Sequence, residues 1–343
     1  MKSDSIRVGI VGAGANTRER HIPGLRAIAG VEIISLCNRT LDSSKRAADK
    51  LGIRTVYPTW RELIQAPDTD AIVIGTWPNM HCRVTLAALE AGKHVMCEAR
   101  MAMDLGEAVL MRDAARARPQ LVAQIVPSPV AIGVDQTIRR LIAEGHLGDL
   151  LAIEVRAAAG FLDLTGTMHW RQDSDLSGVN TLSLGIWYEA IMRWVGEATR
   201  VTAMGKTFVR MRPDDSGTMR AVTIPEHINV IADLACGAQL HMMISAAAGL
   251  AGPPEACLFG TQGTLRIQGN ELYLGRRGDD RLSKLPVPAS EQGAWRVEEE
   301  FIAAIRGEET IKLTSFEDGV KYMRFTQAAV RSMAQERTIP LTP

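Results

Sequence analysis

The chain has 343 residues, of which 46% are hydrophobic and 23% charged; this is ordinary globular composition, with enough length for two domains. Its 39 basic and 39 acidic side chains cancel, which argues against general affinity for nucleic acid or anionic membranes and favours small molecules and copies of itself as partners. The five cysteines are scattered without a CxxC pair, so we expect neither a disulfide framework nor a metal site, and a cytoplasmic location fits.

The N-terminal part of the chain alternates short apolar runs with amphipathic stretches. The strand candidates are residues 6–11, 31–37, 71–76, 94–97 and 121–126, and helix-like segments include 41–51 and 83–92. This alternation predicts right-handed βαβ units in a parallel sheet, which is a dinucleotide-binding fold over residues 1–126. The first strand begins too early to leave room for a signal peptide, and no apolar run reaches membrane-spanning length.

A glycine-rich turn follows the first strand, in the stretch VGIVGAGANTRERHIPG. Gly12 and Gly14 occupy the first two places of a GxGxxG pattern, and Thr17 stands in the third. The first glycine permits a tight turn, and the second lets the backbone approach a pyrophosphate at the positive end of a helix. The predicted contacts of the turn with a dinucleotide are Gly12, Gly14, Ala15, Asn16 and Thr17.

The end of the second strand, SLCNRT, predicts which dinucleotide binds. An acidic residue at this place would bind the ribose hydroxyls of NAD, but the chain has Asn38, followed by Arg39 and Thr40. No carboxylate repels a 2'-phosphate here, and a guanidinium can pair with it. NADP is therefore the expected cofactor, with NAD as the alternative; Arg39 as a solvated surface charge is the competing interpretation.

The pattern changes after the sequence VPSPV, and we place a domain boundary near residue 126. A helix over 134–148, a long strand over 150–160 and a helix over 184–196 precede strand-like runs at 200–211, 228–235, 238–247, 256–261 and 263–269. These runs predict a second, α+β domain over residues 127–343 with a largely antiparallel sheet. Residues 315–336 form an amphipathic last helix with a Ser-x-x-Asp cap, expected to pack back toward the first domain.

The run GTWPNMHCRVTLAALEAGKHVMCEAR resembles the T-P-N-x-x-H…A-L-x-A-G-K-H-V-x-x-E-K-P motif of the Gfo/Idh/MocA (glucose-fructose oxidoreductase and inositol dehydrogenase) family. The residues in register are Thr76, His81, Ala88, Leu89, Ala91, Gly92, Lys93, His94, Val95 and Glu98. The resemblance continues in SGVNTLSLGIWYEAIMRWVG, LFGTQGTLRI and FEDGVKYM, and so covers nearly the whole chain. It implies an α/β protein with an N-terminal Rossmann domain, a C-terminal α+β domain with an open, mostly antiparallel sheet, and homodimers or homotetramers formed through that sheet. It also places Thr76, Trp77, His81, Glu98 and Ala99 beside the cofactor.

The same resemblance reveals what this chain lacks. In the family, the lysine of E-K-P lies by the nicotinamide and the substrate, and an Asp-x-x-x-His pair on a later helix supplies acid and base. Here Ala99 takes the place of the lysine, Ser183 that of the aspartate and Trp187 that of the histidine. Hydride transfer to a carbonyl also requires a proton, so another group or water must supply it.

Several residues are candidates for the missing roles. His169, in GTMHWRQD, is the first choice for general acid/base because imidazole exchanges protons near neutral pH, although it could equally be an ordinary loop histidine. Tyr188 is the second choice, but it is one residue from the expected helical position and so about 100° around the helix. The remaining candidates, for holding substrate, are Arg100, Arg171, Asn180, Ser183 and Trp187. Arg171 could instead form an interdomain ion pair, and Arg100 could face solvent or fix the following helix.

These observations favour an NADP-dependent oxidoreductase that moves a hydride between nicotinamide and a C–O or C–N centre. Trp77 and Trp187 favour a cyclic or aromatic small-molecule substrate, because large flat faces bind rings and exclude water. One alternative is a hydrolase or lyase that oxidises its substrate transiently with tightly bound NAD(P). Another is a catalytically silent cofactor-sensing protein, which the three replaced catalytic groups favour.

Overall fold

The computed structural model describes residues 5–158 and 160–341, which form two compact units. The first unit contains the residues up to Pro127 together with Arg296–Val320, and the second contains Ser128–Trp295 together with the residues from Lys321 onward. Ala159, within the strand predicted over 150–160, lies outside the described residues.

The first unit is built on a parallel sheet with the strand order β3-β2-β1-β4-β5-β6. Its strands are β1 (Ile6–Val11), β2 (Val31–Cys37), β3 (Thr55–Val56), β4 (Ala71–Ile74), β5 (His94–Cys97) and β6 (Ala123–Ile125). All pairings in this sheet are parallel, and the order is that of a doubly wound dinucleotide fold. The predicted Rossmann domain is confirmed, and the sequence missed only the two-residue strand β3.

The helices of this unit begin and end where local chemistry dictates. They are α1 (Ile22–Ala27), α2 (Leu41–Leu51), α3 (Trp60–Gln65), α4 (Pro78–Glu90) and α5 (Leu105–Arg116), with α9 (Val297–Arg306) from later in the chain. Thr40 caps α2 by accepting the backbone N–H of Ser43, and Gly52, at φ +63°, ends it in the left-handed conformation. A π-helical turn, Thr17–His21, leads into α1.

The second unit is organised around a nine-stranded sheet with the order β16-β15-β14-β13-β7-β12-β11-β8-β17. Its strands are β7 (Leu150–Ala158), β8 (Ala198–Lys206), β11 (His227–Leu234), β12 (Gln239–Ser245), β13 (Glu255–Gly260), β14 (Gly263–Gln268), β15 (Glu271–Arg276), β16 (Ser283–Leu285) and β17 (Ile339–Pro340). A separate hairpin consists of β9 (Met211–Pro213) and β10 (Met219–Ala221). Only the β7–β12 pairing is parallel among the described strands of the nine-stranded sheet, so the predicted, mostly antiparallel sheet is confirmed.

The remaining helices are α6 (Asp135–Ala143), α7 (Ser174–Ser177), α8 (Leu184–Val195) and α10 (Phe316–Gln335). The predicted cap of α10 is present, because Asp318 donates its N–H to Ser315 Oγ (3.1 Å) and accepts the N–H of Ser315 (3.1 Å). Within the described part of the chain, no helix combines the length and the apolar character that crossing a membrane would need.

Candidate cofactor site and substrate loop

The glycine-rich turn packs directly against the end of β4. Gly12 has φ +88°, and a Cβ on it would lie 2.8 Å from the backbone nitrogen of Thr76. A Cβ on Gly14 would lie 2.9 Å from the carbonyl oxygen of Gly75. Both positions therefore require glycine, and the turn keeps the tight form that a dinucleotide pyrophosphate needs.

Asn38 fastens this turn to the second strand. Its Oδ1 accepts the N–H of Ala13 (2.8 Å), and its Nδ2 donates to the carbonyl of Ser43 (3.2 Å). The side chain expected to face the ribose is thus engaged within the protein, where it joins the turn to the start of α2. Thr40 is likewise engaged, as the cap of α2.

A basic cavity of about 400 Å³ lies beside the end of β2. Its lining comprises Arg18, Asn38, Ser43, Arg46, Ala47, Lys50 and Leu51, which include three cations and no carboxylate. Arg18 donates to the carbonyl of Ala13 (2.6 Å), which places it against the glycine-rich turn. The sequence analysis missed Arg18, Arg46 and Lys50; the spacing of four residues between the last two, which puts both on one face of α2, was the available signal.

Arg39 and Trp77 have a different arrangement. Arg39 is exposed, and its Cζ lies 5.6 Å from the centroid of the Trp77 ring, within the range of a cation–π contact. The Trp77 ring therefore helps to position the Arg39 guanidinium, which the sequence analysis assigns to the 2'-phosphate of NADP.

His81 connects the ends of two neighbouring strands. It is fully buried; its Nδ1 lies 2.9 Å from the carbonyl oxygen of Arg100 and its Nε2 3.0 Å from that of Thr76. Burial lowers the pKa of His81, although the two carbonyls oppose that shift. This geometry favours a structural role in which His81 holds the segments after β4 and β5 together.

Glu98 leaves β5 at the centre of a buried polar cluster. Its carboxylate accepts from Asn16 Nδ2 (2.5 Å) and pairs with His21 Nε2 (2.9 Å), and its second oxygen accepts the N–H of Ala99 (3.1 Å). On its other side, His21 pairs through Nδ1 with Glu298 of α9. The sequence analysis named Asn16 and Glu98 but missed His21 and Glu298, which no local pattern links.

In this cluster, His21 and Glu98 each shift the other's pKa in the direction that favours the charged form. Burial alone would lower the pKa of His21, but the hydrogen bonds with Glu298 and Glu98 raise it to about 9. Burial would raise the pKa of Glu98, yet His21 and Asn16 lower it overall. These shifts favour the imidazolium form of His21 and the carboxylate form of Glu98 at neutral pH.

This arrangement predicts a loss of stability in alkali. A histidine whose pKa is raised on folding stabilises the native state fully below its unfolded value, near 6.5, and loses that contribution as the pH rises through about 9. The loss is on the order of 3 kcal/mol. Urea unfolding from pH 6 to 10 measures it, and the imidazole NMR signals of His21 should titrate near pH 9. An ordinary histidine titration near 6.5 would contradict the arrangement.

The two residues after Glu98 replace the family's Lys-Pro. Ala99 contributes only a methyl group, and Arg100 is buried, with 3% of its surface exposed. The peptide bond between them is cis. The alternative that Arg100 simply faces solvent is therefore wrong.

In the second unit, His169 lies on an exposed loop just before a short 3₁₀ helix, Trp170–Gln172. Its Nδ1 accepts the N–H of Arg171 (3.2 Å), so in the neutral ring Nε2 carries the hydrogen. Partial burial and the charge of Arg171 lower the pKa of His169. The Arg171 guanidinium lies over the Trp170 ring, with its Cζ 4.2 Å from the centroid.

A buried ion pair anchors this loop. Arg212, 3% exposed, pairs with Glu226 (3.1 Å) and donates to the carbonyls of Asp163 (2.5 Å) and Gly166 (3.1 Å). Glu226 also accepts a hydrogen bond from Nε2 of Gln172 (3.3 Å), which follows His169 in the chain, whereas Asp163 and Gly166 precede it. The sequence analysis missed this pair, which holds both flanks of the loop.

We expect Arg212→Met to destabilise the protein by about 3–5 kcal/mol, because it leaves the carboxylate of Glu226 buried without its cation. Urea unfolding measures the loss. Arg210→Met, at an exposed position nearby, serves as the control, and adding Glu226→Gln to Arg212→Met should recover part of the stability. Equal stabilities of the Arg210 and Arg212 variants would show that the pair anchors nothing.

The helix that carries the family's Asp-x-x-x-His positions contains mostly buried side chains here. Asn180 is fully buried and donates from Nδ2 to the carbonyl of Ser177 (2.7 Å). Ser183 precedes α8 and its carbonyl accepts the N–H of Trp187 (3.0 Å), whose side chain is 7% exposed.

Tyr188 is placed as a packing residue. Its ring stacks on Phe325 with centroids 3.6 Å apart, and its hydroxyl accepts the N–H of Ala198 (2.8 Å). Burial raises the pKa of Tyr188 well above its usual range. The buried Tyr188 hydroxyl is engaged with Ala198, so it does not suit the predicted role of proton donor.

Comparison with known proteins identifies the family. The family model GFO_IDH_MocA, "Oxidoreductase family, NAD-binding Rossmann fold", matches residues 6–125, and the GFO/IDH/MocA C-terminal domain model matches residues 136–266. The chain belongs to the Gfo/Idh/MocA family. Gfo/Idh/MocA proteins are oxidoreductases, and the resemblance drawn from the motif residues is confirmed.

Two relatives and one solved structure illustrate the likeness. An uncharacterized oxidoreductase of Rhizobium meliloti, ORF334, is 29% identical over 59% of this chain and 60% of its own length. The 1,5-anhydro-D-fructose reductase of Ensifer adhaerens is 34% identical over 43% of this chain and 44% of its own. A levoglucosan dehydrogenase solved with NADH and L-sorbose superposes with a TM-score of 0.87 at 21% identity, over 98% of this chain and 99% of that one, which shows a shared fold. The match to each of these two curated relatives spans less than two thirds of that relative's length.

Proposed function

We propose that this protein is an NADP-dependent oxidoreductase that moves a hydride between nicotinamide and a C–O or C–N centre of a cyclic or aromatic small molecule. The observation that carries the proposal is the glycine-rich turn packed on β4 with a basic cavity beside it. Membership of an NAD-binding oxidoreductase family supports it. The nicotinamide, when bound, supplies the hydride acceptor or donor.

The preference for NADP rests on charge. Arg18, Arg46 and Lys50 line a cavity next to the place where the ribose-binding acid of NAD enzymes would stand, and Asn38 holds that place. A phosphate monoester gains strong charge-assisted hydrogen bonds from such cations, whereas a plain ribose hydroxyl does not. Arg39, held over Trp77, adds a further cation at the same strand end.

For the proton we propose His169. With Nδ1 accepting from Arg171 N–H, Nε2–H is available to donate a hydrogen bond to a substrate oxygen. Delivering a whole proton requires the imidazolium, in which Nδ1 also carries hydrogen and gives up the bond from Arg171. The lowered pKa of His169 makes that state a stronger acid than ordinary imidazolium.

The other assignments follow from side-chain chemistry. Arg171 and Arg100 can hold a substrate oxygen or carboxylate. Asn180 and Ser183 can orient the substrate by hydrogen bonds. Trp77 and Trp187 can pack against a substrate ring. The sugar derivative named for the Ensifer reductase is in keeping with a small substrate rich in oxygen. Thr76 Oγ1 is buried without a hydrogen-bond partner, so it can serve the cofactor's end of the strand.

We further propose a cytoplasmic location and a homodimer or homotetramer formed through the nine-stranded sheet. Met204 of β8 and Ile231 of β11, on adjacent strands, are 78% and 49% exposed. Large apolar side chains on an open sheet face favour a partner of the same kind.

The test of the function is turnover with a panel of cyclic alcohols and ketones, followed by nicotinamide absorbance and by product analysis. Substrate-dependent change of NADPH absorbance supports the proposal. Product without net change of the cofactor would favour the hydrolase or lyase that oxidises transiently. Cofactor binding without any product would favour the cofactor-sensing protein, which the replacement of three catalytic groups by Ala99, Ser183 and Trp187 already supports.

A further inference from the structure

The cluster of Asn16, His21, Glu98 and Glu298, here the His21 cluster, joins three segments that are far apart in sequence. Asn16 lies in the glycine-rich turn, Glu98 at the exit of β5, and Glu298 in the first turn of α9. His21 and Glu298 are separated by 277 positions, and their side chains are 0% and 2% exposed. Such a cluster is expensive to bury unless every charge is paired.

The packing around the cluster is specific. A Cβ on Gly24, in α1, would lie 2.9 Å from Cγ of Glu298, so α1 admits this side chain only because residue 24 is glycine. The approach of Glu298 lets His21 use both ring nitrogens, with one carboxylate on each side. The imidazolium form donates from both and satisfies both.

Glu98 is the point where the cluster meets the turn. Asn16 Nδ2 donates to the same oxygen, Oε1, that pairs with His21, while Oε2 accepts the N–H of Ala99. One carboxylate thus holds both the glycine-rich turn, which would bind a pyrophosphate, and the residue that replaces the family's lysine. Since the carboxylate is itself held by His21, His21 orients the group that makes both contacts.

We propose that His21 is a positioning residue for the dinucleotide, acting through Glu98 on Asn16 to preorganise the glycine-rich turn; the proposal rests on the function proposed above. The backbone of residues 14–17 must be in its binding geometry before the pyrophosphate arrives, or binding bears the cost of ordering it. The His21 cluster fixes the side chain of Asn16 inward and so fixes that backbone in advance.

The test is a double-mutant cycle with Asn16→Ala and His21→Gln, read out as the Kd for NADPH alongside urea unfolding. Each single variant should raise the Kd by about tenfold, because each removes a charge-assisted hydrogen bond. The double variant should raise it no further than the worse single, because both act through one contact.

Glu107→Ala is the control. Glu107 is a half-buried residue of the same unit that accepts the N–H of Met103 (3.0 Å), so removing the acceptor should lower stability and leave the Kd for NADPH as in the wild type. A purely structural His21 cluster would behave like this control, with lower stability and an unchanged Kd.

Each outcome decides the matter. Unchanged NADPH affinity in the cluster variants that fold, or independent and additive losses, would overturn the positioning role while leaving the proposed function standing. If His21→Gln fails to fold, Glu98→Gln takes its place in the cycle with Asn16→Ala, because Glu98 is the residue through which His21 reaches Asn16. A wild-type protein that binds neither NADPH nor NADH would overturn both proposals.

Discussion

Replacing His169 by asparagine is expected to lower turnover by about 10²- to 10⁴-fold, the usual worth of a positioned general acid or base. Asparagine keeps a hydrogen-bonding side chain of similar reach but exchanges no protons at neutral pH. The Kd for NADPH should stay as in the wild type, because His169 belongs to the unit without the glycine-rich turn. Steady-state kinetics together with a cofactor titration measure both quantities.

The pH profile adds a second check on His169. Because its pKa is lowered below the ordinary 6.5, carbonyl reduction should be fastest in acid and should fall as the pH rises through that lowered value. The asparagine variant should lack this limb. His146→Asn, at another loop histidine of the same unit, is the control and should keep both the rate and the limb. An unchanged rate in His169→Asn would remove His169 from the mechanism.

Arg46→Ala and Lys50→Ala are each expected to weaken NADPH binding by about tenfold, and the double variant by about 10²-fold. NADH binding should not change, because NADH carries no phosphate at the 2' position. Both side chains line the basic cavity from α2, and Arg18 lines it from the π-helical turn Thr17–His21. Fluorescence titration with each cofactor measures the effect.

Lys45→Ala is the control for this pair of variants. Lys45 is an exposed lysine of the same helix that lies outside the cavity lining, so its loss removes one positive charge without removing a contact. NADPH affinity should fall far less than in the cavity variants. Parallel losses of NADPH and NADH affinity in Arg46→Ala and Lys50→Ala would show that the cavity does not bind the 2'-phosphate.

Much of the fold was predictable because it is encoded locally. Buried parallel strands are continuous apolar runs such as 71–74. The cap of α10 follows from the Ser-x-x-Asp spacing of Ser315 and Asp318. The sequence analysis missed β3, β9, β10, β15, β16 and β17. The two-residue strands β3 and β17 are too short to show a period, and β9, β10 and β16 have only three residues each.

The residues of the candidate site were likewise predictable only where the signal is local. The glycine-rich turn was predictable, since a positive φ and a close backbone approach demand glycine at position 12. His21 and Glu298 were not, because only the tertiary fold brings residues 277 positions apart into contact. Tyr188 does not suit the role of proton donor because its ring stacks on Phe325 and its hydroxyl accepts the N–H of Ala198, contacts that the local sequence does not reveal.

The most direct measurement is a titration of the wild-type protein with NADPH and with NADH, followed by quenching of protein fluorescence. The account predicts exchangeable binding with NADPH at least about tenfold tighter than NADH, the contribution of paired charges on one phosphate. Tighter binding of NADH would contradict the NADP assignment, and absence of binding by either would contradict the proposal of a redox enzyme.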